Sequence, residues 1–333
     1  MKCVVVTGSA GFIGFHVSRA LLDRNETVVG VDNFNTYYYP GLKRARQEKL
    51  ARSKNFVSME RDLADLNSVE SLFQEFRPQI VCHLAAQAGV RYSLRNPVAY
   101  HQSNLAGFVN VIDQARRAEV ERFVYASSSS VYGGNTKIPF SEDDRVDRPA
   151  SLYGATKRAN ELIAYTYTQL WGMATIGLRL FTVYGPWGRP DMAYWSFLDR
   201  IVTGETIQVY NFGKHKRDFT YIDDIAQGVL AALSRPMNNS FELINLGNNR
   251  PVELMRFIER IEDLAGRKAV TEMVQVQPGD VLDTYADITK AREMLDFEPS
   301  VPFEAGIEKF VRWFMDHPQM IDEVRRFKKI RRQ

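Results

Sequence analysis

Short apolar runs alternate with amphipathic stretches through the first half of the chain. Residues 3–7 (CVVVT) are continuously apolar and end on a glycine-rich turn. From Phe12 to Asp23 the period becomes helical, with Val17, Leu21 and Leu22 on one face. The strand pattern returns at 27–31 (TVVGV), 55–59 (NFVSM), 79–84 (QIVCHL), 122–127 (RFVYAS) and 174–180 (ATIGLRL), with helical spacing near 42–52, 66–76, 98–117 and 153–170. Non-alternating apolar strands separated by helices predict a parallel sheet covered on both faces. Right-handed crossovers then make an α/β, doubly wound sheet.

The second half is less regular. Gly185-Pro186-Trp187-Gly188-Arg189-Pro190 predicts a loop on turn chemistry. A helix is expected around 195–203, a strand at 206–210, a helix over 223–234 capped by Asp223, and another over 252–265 after Pro251. Residues 302–317 predict an amphipathic helix whose Phe303, Ile307, Phe310, Val311 and Phe314 read as core. The expected organisation is one domain over 1–180, rejoined by a segment near 217–235, and a smaller α/β domain over 181–333.

Composition excludes several classes. With 333 residues, 45% hydrophobic and 25% charged, the chain is an ordinary globular protein. Its net charge of +3 is too small for a protein that coats nucleic acid. The last nine residues, RRFKKIRRQ, carry six basic groups and no acid, so the remainder is net acidic and the tail reads as a solvated helix end. Two cysteines, Cys3 and Cys82, exclude a disulfide framework and read as buried, reduced thiols. No zinc-ligand spacing is present, so no metal is expected. The N-terminus matches neither a signal peptide nor a membrane span, so the expectation is a cytoplasmic protein without a membrane partner.

Chemistry begins at Gly8-Ser9-Ala10-Gly11-Phe12-Ile13-Gly14. Gly8 and Gly11 permit a tight turn and close approach of backbone amides to a pyrophosphate, and Gly14 permits close helix–strand packing. The following helix adds its positive N-terminal dipole. Asp32, with Asn33 beside it, ends the second strand, where a carboxylate accepts from both adenosine ribose hydroxyls and repels a 2′-phosphate. That favours NAD over NADP. Asp62, followed by Leu63, either reaches the adenine amino group or caps the next helix.

The fifth strand runs into four serines, Ser127 to Ser130, and Tyr153 and Lys157 follow one helical turn apart. A lysine ammonium beside a phenol, with a positive nicotinamide ring, favours the phenolate. A phenolate next to a sugar hydroxyl is a general base for hydride abstraction at the same carbon, and a serine hydroxyl from the strand end can bridge the same oxygen.

Together, TGSAGFIG (7–14), HLAA (83–86), SSSSVYG (127–133), Tyr153-x-x-x-Lys157 and RDFTYIDDI (217–225) resemble the extended short-chain dehydrogenases/reductases that act on nucleotide sugars, over nearly the whole chain. AAQAGVRYSLRNP (85–97), GPWGRPDMAYWSF (185–197) and QPGDVLDTYAD (277–287) resemble more narrowly the UDP-glucuronate 4-epimerases. Leu282 departs from that pattern, a proline often following GDV there. The resemblance implies a Rossmann-like fold, tightly bound NAD, and catalysis by Ser128, Tyr153 and Lys157, with Ser129 assisting. It implies that Leu84, Ala85, Ala86, Asn104 and Phe181 line the NAD site. Thr182 stands where galactose epimerases carry asparagine, and its hydroxyl suits a C6 carboxylate. Arg189 would pair with that carboxylate bidentately, or else be a surface arginine. Arg217 would hold the diphosphate, or pair with Asp218 or Asp223. Asp280 would hold the ribose or a nearby arginine, and Arg91 is a second basic candidate. A second copy of the chain is the implied partner, through the helices near 98–117 and 153–170.

The resulting expectation is conversion of UDP-glucuronate to UDP-galacturonate through a 4-keto intermediate with hydride return. A decarboxylase or 4,6-dehydratase needs a further acid/base group, and the serine run holds no Asp or Glu. Thr182 and Arg189 argue against an epimerase of neutral UDP-glucose or its N-acetylated form. A non-catalytic dinucleotide sensor would typically lack the Tyr or Lys.

Overall fold

The computed structural model describes residues 2–236, 240–275 and 283–331. Its central sheet has seven strands: β1 (Cys3–Thr7), β2 (Thr27–Asp32), β3 (Phe56–Glu60), β4 (Ile80–His83), β5 (Arg122–Ala126), β6 (Thr175–Leu180) and β7 (Phe241–Leu246). Their order is β3-β2-β1-β4-β5-β6-β7, and every neighbouring pair is parallel. The unbroken apolar runs follow from burial on both faces. Val4 and Val6 of β1 pack into one core layer with Phe15 and Val17, whereas Val5 packs into the other with Val29, Val81 and Phe108. The strand order reverses between β1 and β4. A crevice therefore opens at their C-terminal ends, where the flanking connections leave on opposite faces.

β7 joins this sheet from the half that the sequence pattern assigns to the smaller domain. Its residues, FELINL, do not form an apolar run, because Glu242 and Asn245 interrupt it. Both polar groups have partners that sequence spacing hides: Lys290 meets Glu242 at 2.9 Å, and Tyr132 donates its hydroxyl to Asn245 at 2.7 Å. Among the described residues three small sheets complete the fold. Thr182–Tyr184 lies beside Phe219–Tyr221, Thr206–Tyr210 beside Val270–Val274, and Lys216–Arg217 between Val252–Glu253 and Asp283–Thr284.

Two helix expectations need correction. The stretch 98–117 is not one uniform helix: Pro97–Tyr100 and Gly107–Arg117 flank a wider turn, a π-helix, over His101–Ala106. Asn160 donates its amide to the Asn104 carbonyl at 2.6 Å, a side-chain bond competing with the ordinary ladder there. Asp223 is not a cap either. The helix is Ile222–Ser234 with Tyr221 before it, so Asp223 sits inside the first turn. Its neighbour Asp224 accepts from the backbone of Ser300 and Val301 at 3.0 and 3.2 Å and ties this helix to that loop. The stripe on helix Phe303–Met315 is core as expected. The basic C-terminus forms helix Pro318–Ile330, and Arg331 beyond it donates to the carbonyls of Thr36 and Tyr37. Cys82 is buried and Cys3 half-buried, both as free thiols. No helix among the described residues is long and apolar enough to cross a membrane.

Candidate active site

The crevice holds a cavity of about 550 Å³. Its floor is the glycine turn. Gly8 has φ +71°, and a Cβ there would lie 2.8 Å from the Ala85 nitrogen. A Cβ on Gly14 would lie 2.0 Å from the Gly8 carbonyl oxygen. The following helix, Phe12–Asp23, begins at Gly11 with no side-chain cap. Its first amides have no internal partner, and together with the helix dipole they form a cradle for a phosphate group. Gly8, Gly11, Phe12, Ile13 and Gly14 all line the cavity.

Asp32 and Asn33 line the adjoining wall with Asp62 and Leu63. Asp32 accepts the Phe34 amide at 2.8 Å, and Lys43 lies 4.0 Å away, held to Asn35. Burial pushes the Lys43 ammonium down to about 8, while Asp32 favours its charge. Asp62 accepts from the Ala64 amide at 2.9 Å and from Asn33 at 3.3 Å. The helix cap is Asp65 instead, which accepts from the Asn67 amide at 3.1 Å. Leu84, Ala85 and Ala86 form the opposite wall after β4. The Thr7 hydroxyl fixes that wall, accepting from the Ala85 amide at 3.2 Å and bonding His83 Nδ1 at 2.9 Å. Burial lowers His83 to about 3, so its ring is neutral.

Asn104 stands behind this wall rather than in it. Its side chain accepts the Gln87 amide at 2.7 Å and donates to the Gln87 carbonyl at 3.0 Å. It shapes the cavity through the backbone it holds.

The reactive end lies where β5 and helix Leu152–Trp171 converge. Ser128, Ser129, Tyr153, Lys157, Phe181 and Thr182 all border it. The Ser128 hydroxyl neighbours the Tyr153 phenol and favours its charged form. Burial holds the phenol above its ordinary range, against the Ser128 hydroxyl and the positive charge of Arg189. The lowering expected from Lys157 does not appear: the groups that oppose burial are Ser128 and Arg189. Lys157 donates to the Ala126 carbonyl at 2.8 Å. Burial brings its ammonium down to about 8, while the Glu161 carboxylate one turn on favours the charge.

Arg189 and Arg91 also line the cavity. The Arg189 fork is closed rather than open: Nε and Nη2 donate to the two Asp191 carboxylate oxygens at 3.0 and 2.5 Å. Tyr37 donates its hydroxyl to the same carboxylate at 3.1 Å. Arg91 lies over the Tyr210 ring, 4.9 Å from its centroid. Arg217 is on the strand Lys216–Arg217, outside the cavity lining. The salt bridge considered for it with Asp218 is replaced by a ring of other donors. Asp218 accepts from the amides of Asn248, Asn249 and Ala286 and from Thr220. Asp280 and Leu282 lie outside the described residues.

Buried Arg46 joins two walls. Its Nη1 donates to the Ala10 carbonyl at 2.8 Å and to Tyr38 at 2.7 Å. Its Nε and Nη2 donate to the Trp187 carbonyl at 3.1 and 2.6 Å, and Nη2 also reaches the Gly188 carbonyl at 3.1 Å.

A glycine cradle and a Ser–Tyr–Lys set thus border one cavity. The profile of the NAD dependent epimerase/dehydratase family matches residues 4–247. The chain belongs to this family. Within it, the chain is 50% identical to an uncharacterized protein of Methanocaldococcus jannaschii, over 95% of this chain and 97% of that one. It is 48% identical to UDP-glucuronate 4-epimerase 5 of Arabidopsis thaliana, over 94% of this chain and 75% of the plant protein. Among solved structures, UDP-glucuronic acid 4-epimerase of Bacillus cereus in complex with UDP-glucuronic acid and NAD superposes with a TM-score of 0.89. That pair is 32% identical over 94% of this chain and 99% of the other. The NAD of the family fits the uncapped helix, the glycine cradle and Asp32 described above.

The sequence reading omits Tyr37, Lys43 and Asp191 from the cavity lining. Asp191 had a signal, an acid two residues after Arg189 across Pro190. The triple tyrosine at 37–39 was a weaker one.

Proposed function

We propose that the chain is a UDP-glucuronate 4-epimerase, interconverting UDP-glucuronate and UDP-galacturonate with NAD retained. The observation that carries this reading is that Ser128, Tyr153 and Lys157 border one cavity with the glycine cradle and Arg189. When bound, oxidised NAD supplies a reversible hydride acceptor and positive charge beside the phenol. Tyr153 takes the C4 hydroxyl proton as its phenolate, and Ser128 orients the same oxygen. Lys157 stabilises the phenolate from one helical turn away. The 4-keto sugar turns within the cavity, and Tyr153 then returns the proton to the C4 oxygen. Net redox change is zero. Thr182 and Arg189 hold the C6 carboxylate. The Nε/Nη2 edge of Arg189 already carries Asp191, so the substrate meets the remaining Nη1 edge. Arg217 and Asp280 are assigned to the nucleotide portion, and Arg91 is a second basic group near the substrate.

The deciding experiment incubates purified protein with UDP-glucuronate and no added NAD while NMR follows the C4 configuration. Accumulation of UDP-galacturonate is expected. UDP-xylose or a 4-ketopentose as main product rejects the epimerase reading in favour of decarboxylation.

The same reading includes a homodimer. Val109 on helix Gly107–Arg117 and Leu162 and Tyr165 on helix Leu152–Trp171 are large apolar groups left in solvent, Leu162 at 52% exposure. Light scattering should give twice the 38.2 kDa chain mass, and Leu162→Glu should give the single-chain mass. A wild-type protein that stays monomeric at micromolar concentration removes the dimer.

A further inference from the structure

Behind the Ser–Tyr–Lys set lies a charged group that the mechanism above does not use. Glu161, one turn past Lys157, is wholly buried. Its Oε1 accepts from the Ser127 hydroxyl at 2.6 Å and from Arg179 Nε at 2.8 Å. Its Oε2 accepts from Arg179 Nη2 at 3.0 Å and from Arg158 at 2.9 Å. Arg179, on β6, is itself 1% exposed. A carboxylate in such a place persists only because every oxygen is paired.

Two contacts give the group a bearing on the reaction. Ser127 is the residue before Ser128, so its bond to Glu161 fixes the strand end from which Ser128 reaches Tyr153. Lys157 donates to the Ala126 carbonyl, one residue earlier. Helix and strand end are thus fastened at two adjacent points beside the Tyr153 phenol.

We propose that Glu161 is a positioning residue for the reaction: its buried carboxylate fastens Ser127 to the helix carrying Tyr153 and Lys157, and places a negative charge one helical turn from Lys157. This inference rests on the catalytic roles assigned above to Ser128, Tyr153 and Lys157.

The surrounding groups can be named element by element. The helix itself presents Tyr153, Lys157 and Arg158. β5 contributes Tyr125, whose phenol feels Glu161, Arg179 and Arg158. β6 contributes Arg179, and the turn Ser129–Tyr132 contributes Tyr132, to whose hydroxyl Arg179 donates at 3.0 Å. Glu142 adds a further negative charge beside Arg179 and Tyr132. From β4 comes neutral His83, and from the loop after Gly185 comes Arg189, whose charge reaches Tyr153. Of these, Glu161 is the charge that acts on Lys157, and it favours the protonated form.

The sign of the test follows. Removing the Glu161 charge lowers the pH at which Lys157 loses its proton. The reading is direct: purified holoenzyme carrying 13C-labelled lysine is titrated by NMR, with the Lys157 Cε signal assigned by its loss in Lys157→Met. In Glu161→Gln the midpoint should fall by about half a pH unit or more. The alkaline limb of kcat should move the same way by the same amount, with KM little changed. Because this variant leaves Arg179 buried without its partner, Glu161→Gln/Arg179→Gln is measured beside it. It removes both charges of the pair and should show a downward shift of the same sign. A midpoint that stays put or rises in whichever variant folds overturns the proposal. The NMR midpoint is independent of turnover. A failed catalytic reading, recognised by Tyr153→Phe retaining activity, is therefore distinguishable from a failed role for Glu161.

Discussion

Tyr153→Phe should lose roughly a thousandfold in kcat for UDP-glucuronate, in the range typical of removing a positioned general base. The phenyl ring keeps its place. Tyr153 packs edge-on against the Tyr100 ring, with centroids 6.1 Å apart, and that contact does not need the hydroxyl. Folding and NAD content should therefore be unchanged, and KM should move little, because the proton is transferred in the transition state rather than in binding. Rapid-quench kinetics with UDP-glucuronate check this. Turnover within tenfold of wild type removes Tyr153 as the base. Ser128→Ala should fall less far, since Ser128 orients the same oxygen without carrying the proton.

Arg189→Ala should raise KM for UDP-glucuronate by roughly ten- to a hundredfold, the loss expected for a hydrogen bond to a charged group, about 1.5–3 kcal/mol. Asp191 makes the effect steeper. Its carboxylate is held ionised by Arg189 against burial. Without Arg189 it faces a substrate carboxylate with no cation between them. Arg189→Ala/Asp191→Asn should recover part of the lost affinity, a result that simple loss of a contact does not produce. The product should change as well. The 4-keto intermediate is a β-keto acid. When its carboxylate can rotate, the C5–carboxyl bond breaks, its electron pair passes to the C4 carbonyl, CO₂ leaves, and the enolate takes a proton from water at C5. The resulting 4-ketopentose is released with the cofactor left reduced, visible as a rise in near-ultraviolet absorbance. An unchanged KM together with unchanged product rejects the assignment of Arg189.

Parts of this site are legible in sequence because the backbone or the helical period demands them. Gly8 and Gly14 are required by a positive φ and by a carbonyl with no room for a side chain. Tyr153 and Lys157 share a helix face by spacing alone. β7 was hidden because Glu242 and Asn245 are polar until Lys290 and Tyr132 are placed beside them. Asn104 was placed in the cavity lining although it acts through the Gln87 backbone, a contact between segments 17 residues apart. Arg189 was expected to be open for the substrate because charge pairing across a proline turn is a matter of geometry, not composition.

Arg46 has a consequence for how this frame changes its preferences. Four of its five bonds end on main-chain carbonyls, those of Ala10, Trp187 and Gly188. Every residue type provides such an acceptor, so these four bonds between the cofactor turn and the loop after Gly185 do not depend on the side chains of the residues that accept them. Side chains from Arg189 onward can be exchanged without loosening them. The cavity lining at Arg189, Asp191, Met192 and Ala193 can therefore change while these bonds keep the cofactor turn in place.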